Sequence, residues 1–143
     1  MKIVLAADHG GYQLKENIKT ALESEGYEIV DLGTFNEESV DYPDYGKKAG
    51  EYVMSGQAER GILLCGSGIG ICMAANKVHG IRCALAASEE YARLASAHNH
   101  ANMIAMGGRT VSTEDALRYI KIWLETPWDG GRHDRRVALL DNM

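Results

Sequence analysis

The chain has 143 residues, 45% of them hydrophobic, with 15 Lys and Arg against 20 Asp and Glu for a formal net charge of -5. That length suits one domain with its own core over residues 1–143, and an acidic balance without a basic run argues against nucleic acid as a partner. Cys65, Cys72 and Cys83 form an odd set without zinc-type spacing, so they read as free thiols rather than a metal site or a disulfide framework.

The first apolar run, Ile3 to Ala7, predicts a strand over 2–7. It is too short for a signal-peptide core, and no later stretch approaches a membrane span, so a cytoplasmic protein is expected. The run exits into Asp8-His9-Gly10-Gly11 ahead of a helix over 11–25. A strand over 27–32 leads through Asp31-Leu32-Gly33-Thr34 and Asp41-Tyr42-Pro43-Asp44 to a helix over 43–55. A strand over 60–65 ends on Cys65, with a helix over 69–78 after it. Then come a strand over 81–86, a helix over 89–97, a strand over 102–106 that runs into Gly107-Gly108-Arg109, and a helix over 113–125. The segment after Pro127, Trp128-Asp129-Gly130-Gly131-Arg132-His133-Asp134-Arg135-Arg136, reads as a glycine-started loop carrying cationic and titratable side chains. Strands alternating with amphipathic helices predict an α/β fold, a Rossmann-like three-layer sandwich with a five-stranded parallel sheet. In such a sheet the ligand crevice lies beyond the carboxyl ends of the strands.

At one of those ends stands Cys65-Gly66-Ser67-Gly68-Ile69-Gly70. A glycine-rich turn that opens a helix aims several N–H groups at one point and favours an anion there, which makes Cys65 a candidate catalytic thiolate. Cys72 and Cys83 lie inside predicted elements and are expected in the core. The spacing is not a dinucleotide fingerprint, because Ile71 stands where the third glycine belongs. A cysteine-dependent phosphatase would need an arginine at that same position. What remains is a loop that holds an oxyanion while the thiol handles a proton.

His98 and His100 could share a strand face as a metal pair, but no third ligand stands at a recognisable spacing. His98 reads better as a proton donor or acceptor, with a histidine capping a helix end as the plainer alternative. Arg132 and Arg136 suit a phosphate clamp, which His9 could complete. Asp8 is either a helix cap or a carboxylate facing a sugar.

Taken in order, Asp8-His9-Gly10-Gly11, Asp41-Tyr42-Pro43-Asp44, Cys65 to Gly70, Ala75-Asn76-Lys77-Val78, Gly80-Ile81-Arg82, His98-Asn99 and Gly130-Gly131-Arg132-His133 make the whole chain resemble the type B ribose-5-phosphate isomerases. That wider family includes galactose-6-phosphate isomerase subunits. The resemblance implies a homodimer or dimer of dimers with shared active sites, a small-molecule sugar phosphate as substrate, and no metal or other cofactor. It implies Cys65 as the base that moves a proton between C1 and C2 through an enediolate, with Ser67 and the amides of Gly66, Gly68, Ile69 and Gly70 around the oxyanion. It further implies ring opening by His98 with Asp8 and Asn99, Tyr42 against the sugar, and a phosphate held by His9, Arg132 and Arg136, with Arg109 supplied by the partner subunit. Residues 127–143 would serve phosphate binding and dimer contacts.

Two positions depart from the family pattern. His100 stands where Asp is usual, and Ser67 where Thr is more frequent. Both leave the reaction class intact while opening substrate length, so a 6-phosphorylated hexose such as allose or galactose 6-phosphate is the rival substrate. A non-catalytic sugar-phosphate-binding module is the rival from another class.

Overall fold

Strand residues sort by parity onto the two faces of one sheet. Ile3, Leu5, Ile62, Leu64, Ile104 and Met106 enter one apolar cluster, whereas Val4, Ala6, Leu63, Cys65, Met103 and Ala105 enter the other. Successive side chains of a strand point to opposite faces, so a near-continuous apolar run is what a sheet covered on both sides demands. The computed structural model describes residues 1–143 and shows β1 (Lys2–Ala7), α1 (Tyr12–Ser24), β2 (Glu28–Asp31), α2 (Tyr42–Met54), β3 (Arg60–Cys65), α3 (Ile69–Asn76), β4 (Cys83–Leu85), α4 (Glu89–Ala97), β5 (Met103–Gly107), α5 (Thr113–Glu125) and α6 (His133–Asp141).

All strands pair in parallel in the order β2-β1-β3-β5-β4. Helices α1, α4 and α5 cover one face through Leu14, Ile18, Ala92, Ala95, Ile120 and Trp123. Helices α2 and α3 cover the other through Ala49, Val53, Ile71 and Ala75. From β1 the chain steps outward to β2 and then returns past β1 to β3. The crevice of this sheet therefore opens between the carboxyl ends of β1 and β3, where Ala7 pairs with Leu64 and Cys65 with Gly107.

Two expectations are corrected here. The segment read as a loop after Pro127 becomes helix α6, because the positive φ of Gly130 (62°) and Gly131 (53°) turns the chain and lets His133 and Val137 bury one side of a short helix. Cys72 and Cys83 pack at the margin of the second cluster and are half-buried rather than enclosed, since β4 is a three-residue edge strand. No helix is long and apolar enough to cross a membrane.

Candidate active site

Three glycine-bearing loops meet at the carboxyl edge of the sheet. A Cβ on Gly10 would stand 3.0 Å from the Gly66 nitrogen, one on Gly108 2.3 Å from the Gly10 oxygen, and one on Gly66 2.9 Å from Arg109 Nη1. Only glycine allows the loops after β1, β3 and β5 to approach this closely. Their contact gathers Asp8, His9, Cys65, Ser67 and Arg109 around one crevice, and Tyr42 joins them with its ring 2.6 Å from where a Gly70 Cβ would be.

Cys65 is buried, and its sulfur accepts a 3.1 Å hydrogen bond from the Gly68 amide. Gly68 caps α3 with φ +82°, a left-handed conformation that turns its N–H back toward the strand end. The Ser67 hydroxyl oxygen accepts from the Ile69 amide at 3.2 Å. The amides of Gly66, Ser67 and Gly70 have no acceptor within the chain. They are free donors at a helix N-terminus, the arrangement that holds an oxyanion.

Asp8 uses Oδ1 to accept from the amides of Gly10 (2.9 Å) and Gly11 (3.2 Å), which closes the turn ahead of α1; the N-cap of that helix is Gly11, so Asp8 is not its cap. His9 accepts from the Val40 amide through Nδ1 at 3.2 Å, which leaves Nε2 as the nitrogen that carries the proton in the neutral ring.

The remaining expected residues gather at the opposite edge. Helix α4 runs antiparallel to the strands, so His98 at its C-terminus lies where β5 begins, at the level of the Met103–Gly61 pair rather than the Gly107–Cys65 pair. At ~3.3 Å per residue, the length of β5 separates the two levels by roughly 13 Å. His98 stacks on His133 with ring centroids 4.4 Å apart and planes at 18°. Arg132 and Arg136 project from the start of α6 beside this pair, and exposed Asn99 follows His98. The Asp129 amide donates to the Ala97 oxygen at 2.9 Å, which brings the Asp129 carboxylate to 3.8 Å from His98 Nε2.

Burial pushes His133 below the ordinary imidazole value, and the charges of His98, Arg132 and Arg136 push it the same way. Its Nε2 accordingly serves as acceptor for Arg132 Nε at 3.4 Å.

Sequence reasoning and geometry part at two points. Arg109, expected from a partner, lies against Gly66 of its own chain. His100 takes φ +49° and stacks on Trp128 at 4.2 Å, while His98 stacks on His133. Asp129 and His133 carry no role legible in the sequence, although with His98 they bring one nitrogen or oxygen each to within 4.8 Å of one another. Nothing in the spacing announced this, since 31 residues separate His98 from Asp129 and 35 separate it from His133. The near-parallel imidazoles aim their in-plane lone pairs side by side rather than at a common ion, so the cluster does not present a converging ligand set.

Known proteins share the sequence and the fold of this chain. Residues 3–140 match the ribose/galactose isomerase family. The chain is 42% identical to ribose-5-phosphate isomerase B of Escherichia coli K12 over 97% of its own length and 93% of that protein. The solved structure of Clostridium thermocellum ribose-5-phosphate isomerase B superposes with a TM-score of 0.97 at 48% identity, covering 99% of this chain and 96% of the other. That of the Mycoplasma genitalium enzyme with bound ribulose 5-phosphate gives 0.93 at 36% identity, over 99% and 94%.

Proposed function

The chain belongs to the ribose/galactose isomerase family as an aldose–ketose isomerase, and we propose that it interconverts ribose 5-phosphate and ribulose 5-phosphate through an enediolate with Cys65 as the base. The observation that carries this reading is the Cys65 sulfur at 3.1 Å from the Gly68 amide, in a loop whose neighbouring amides lack acceptors. In the forward direction the Cys65 thiolate takes the proton from C2 of the open-chain aldose. The electron pair moves into a C1–C2 double bond and leaves O1 as the oxyanion, which faces the free amides of Gly66, Ser67 and Gly70. The O2 proton passes to O1, and the Cys65 thiol returns its proton to C1, which gives the ketose. No cofactor enters this proton bookkeeping.

One chain does not place its ring-opening and phosphate-clamping groups beside Cys65, because they stand at the other edge of the sheet. We therefore assign His98, Asn99, Arg132 and Arg136 to the crevice of a second copy, where they meet the Asp8, His9, Tyr42, Cys65 and Arg109 group. Residues 127–143 then serve both phosphate binding and subunit contact.

The experiment is turnover on ribose 5-phosphate beside allose 6-phosphate and galactose 6-phosphate, run in deuterium oxide. Faster turnover of the pentose with deuterium entering at C2 is expected. A faster hexose would move the substrate to the six-carbon class, and an unexchanged C2 hydrogen on bound ribose 5-phosphate would reduce the protein to a binder.

A further inference from the structure

Cys72 and Cys83 take no part in the site above, yet α3 and β4 bring them together. Cys72 Sγ donates to the Cys83 carbonyl oxygen at 3.4 Å. Asn76, one turn further along α3, clasps the same strand residue from both sides: its Oδ1 accepts from the Cys83 amide at 2.8 Å and its Nδ2 donates to the Cys83 oxygen at 2.9 Å. The Asn76 Nδ2 also reaches the Cys72 sulfur at 3.8 Å. Both cysteines are free thiols in half-buried residues.

The two thiols differ in their hold on the proton. The neighbouring Cys83 side chain draws Cys72 below the ordinary thiol value, against an opposing push from burial. The same interaction, with burial added, raises Cys83 well above that value. The two shifts run in opposite directions, so Cys72 is the readier of the pair to give up its proton.

We propose that Cys72 and Cys83 form an oxidation site that closes to an intramolecular disulfide when the protein meets a peroxide. The Cys72 thiolate attacks a peroxide oxygen; an S–O bond forms as the O–O bond breaks, leaving a sulfenic acid and a hydroxide that is protonated to water. The Cys83 sulfur then gives up its proton and attacks the Cys72 sulfur. The S–S bond forms as the S–O bond breaks, and a second water leaves. Two thiols and one hydrogen peroxide become one disulfide and two waters. The bridge bears on the crevice without belonging to it: the Cys72 amide donates to the Gly68 oxygen at 3.2 Å, and Gly68 is the residue whose own amide holds Cys65. It would tie the first turn of α3 to the edge strand.

The test treats the native protein with hydrogen peroxide, blocks the remaining thiols with an alkylating reagent, and maps peptides without reduction. The expected product is a peptide pair joined through Cys72 and Cys83 within one chain, two hydrogens lighter than its parts, with free thiols falling from three to one. Dithiothreitol restores all three. Cys65→Ser forms the same bridge, which separates this chemistry from the isomerase assignment, and Cys83→Ser traps dimedone on Cys72. Oxidation of Cys65 while Cys72 and Cys83 both remain alkylatable would overturn the proposal, as would a bridge between two chains. Mapping of the wild-type protein decides the matter even if a variant fails to fold.

Discussion

The Cys65 sulfur and the Gly68 amide stand 3.1 Å apart, joined across the turn that links β3 to α3. This one contact fixes the thiol at the N-terminus of a helix and leaves the next free amides beside it. A positioned general base contributes about 10²–10⁴-fold. Cys65→Ala should lose turnover of that order while its calorimetric affinity for ribose 5-phosphate, set by the arginines, stays near that of the parent. Turnover close to normal would remove the thiol from the reaction.

The separation of Cys65 from Arg136 along β5 makes a complementation test possible. Cys65→Ala and Arg136→Ala should each be impaired alone, the second chiefly through a higher KM. After mixing and reassembly, a hybrid should regain activity, because one of its crevices receives both intact halves. Mixtures no more active than their parts would show that each chain builds its own site.

Gly68 tests the turn itself. Its φ of +82° is unfavourable for a side chain, and an added Cβ would lie 2.7 Å from the Met106 carbonyl carbon. Overpacking of this kind costs about 1–3 kcal/mol. Gly68→Ala should show that loss in urea unfolding together with a lower kcat; unchanged stability would mean that the loop adapts.

Lys15 is fully buried, with Nζ 2.6 Å from Asp31 Oδ2, and Asp31 in turn accepts the Gly33 amide through Oδ1 at 2.8 Å. Removing one partner of a buried pair costs about 3–5 kcal/mol, so Lys15→Ala should unfold at markedly lower urea. Lys19, partly exposed at 3.5 Å from the same carboxylate, should cost under about 1 kcal/mol as Lys19→Ala. Equal losses in the two variants would contradict the assignment of the buried pair to Lys15.

His100 and His133 are both held below the ordinary imidazole value, first by burial. Nearby positive charge adds to this, from Arg82 and Arg60 at His100 and from His98 and Arg132 at His133. Between each lowered value and ~6.5 the unfolded chain binds more protons than the folded one. Stability from these groups is therefore complete above ~6.5 and lost as pH falls through that window. The urea midpoint should drop on acidification below ~6.5, and less so in His100→Asn, since asparagine tolerates the φ of 49° at that position. A drop of equal size in that variant would place the effect elsewhere.

The local order of the chain was legible because it is written in local physics. Apolar runs of strand length and a glycine-rich turn after Cys65 act within a few positions of themselves, and the strands and the nest stand where those signals put them. Helix α6 escaped notice because its signal is two buried positions, His133 and Val137, behind a double glycine. What only the tertiary structure decided is which residues share an edge. The antiparallel run of α4 carries His98 away from Cys65, the packing of the loops after β3 and β5 lays Arg109 on Gly66, and α6 stacks His133 on His98. Such placements depend on how helices cross a sheet and on contacts between residues far apart in sequence, and no spacing along the chain encodes them.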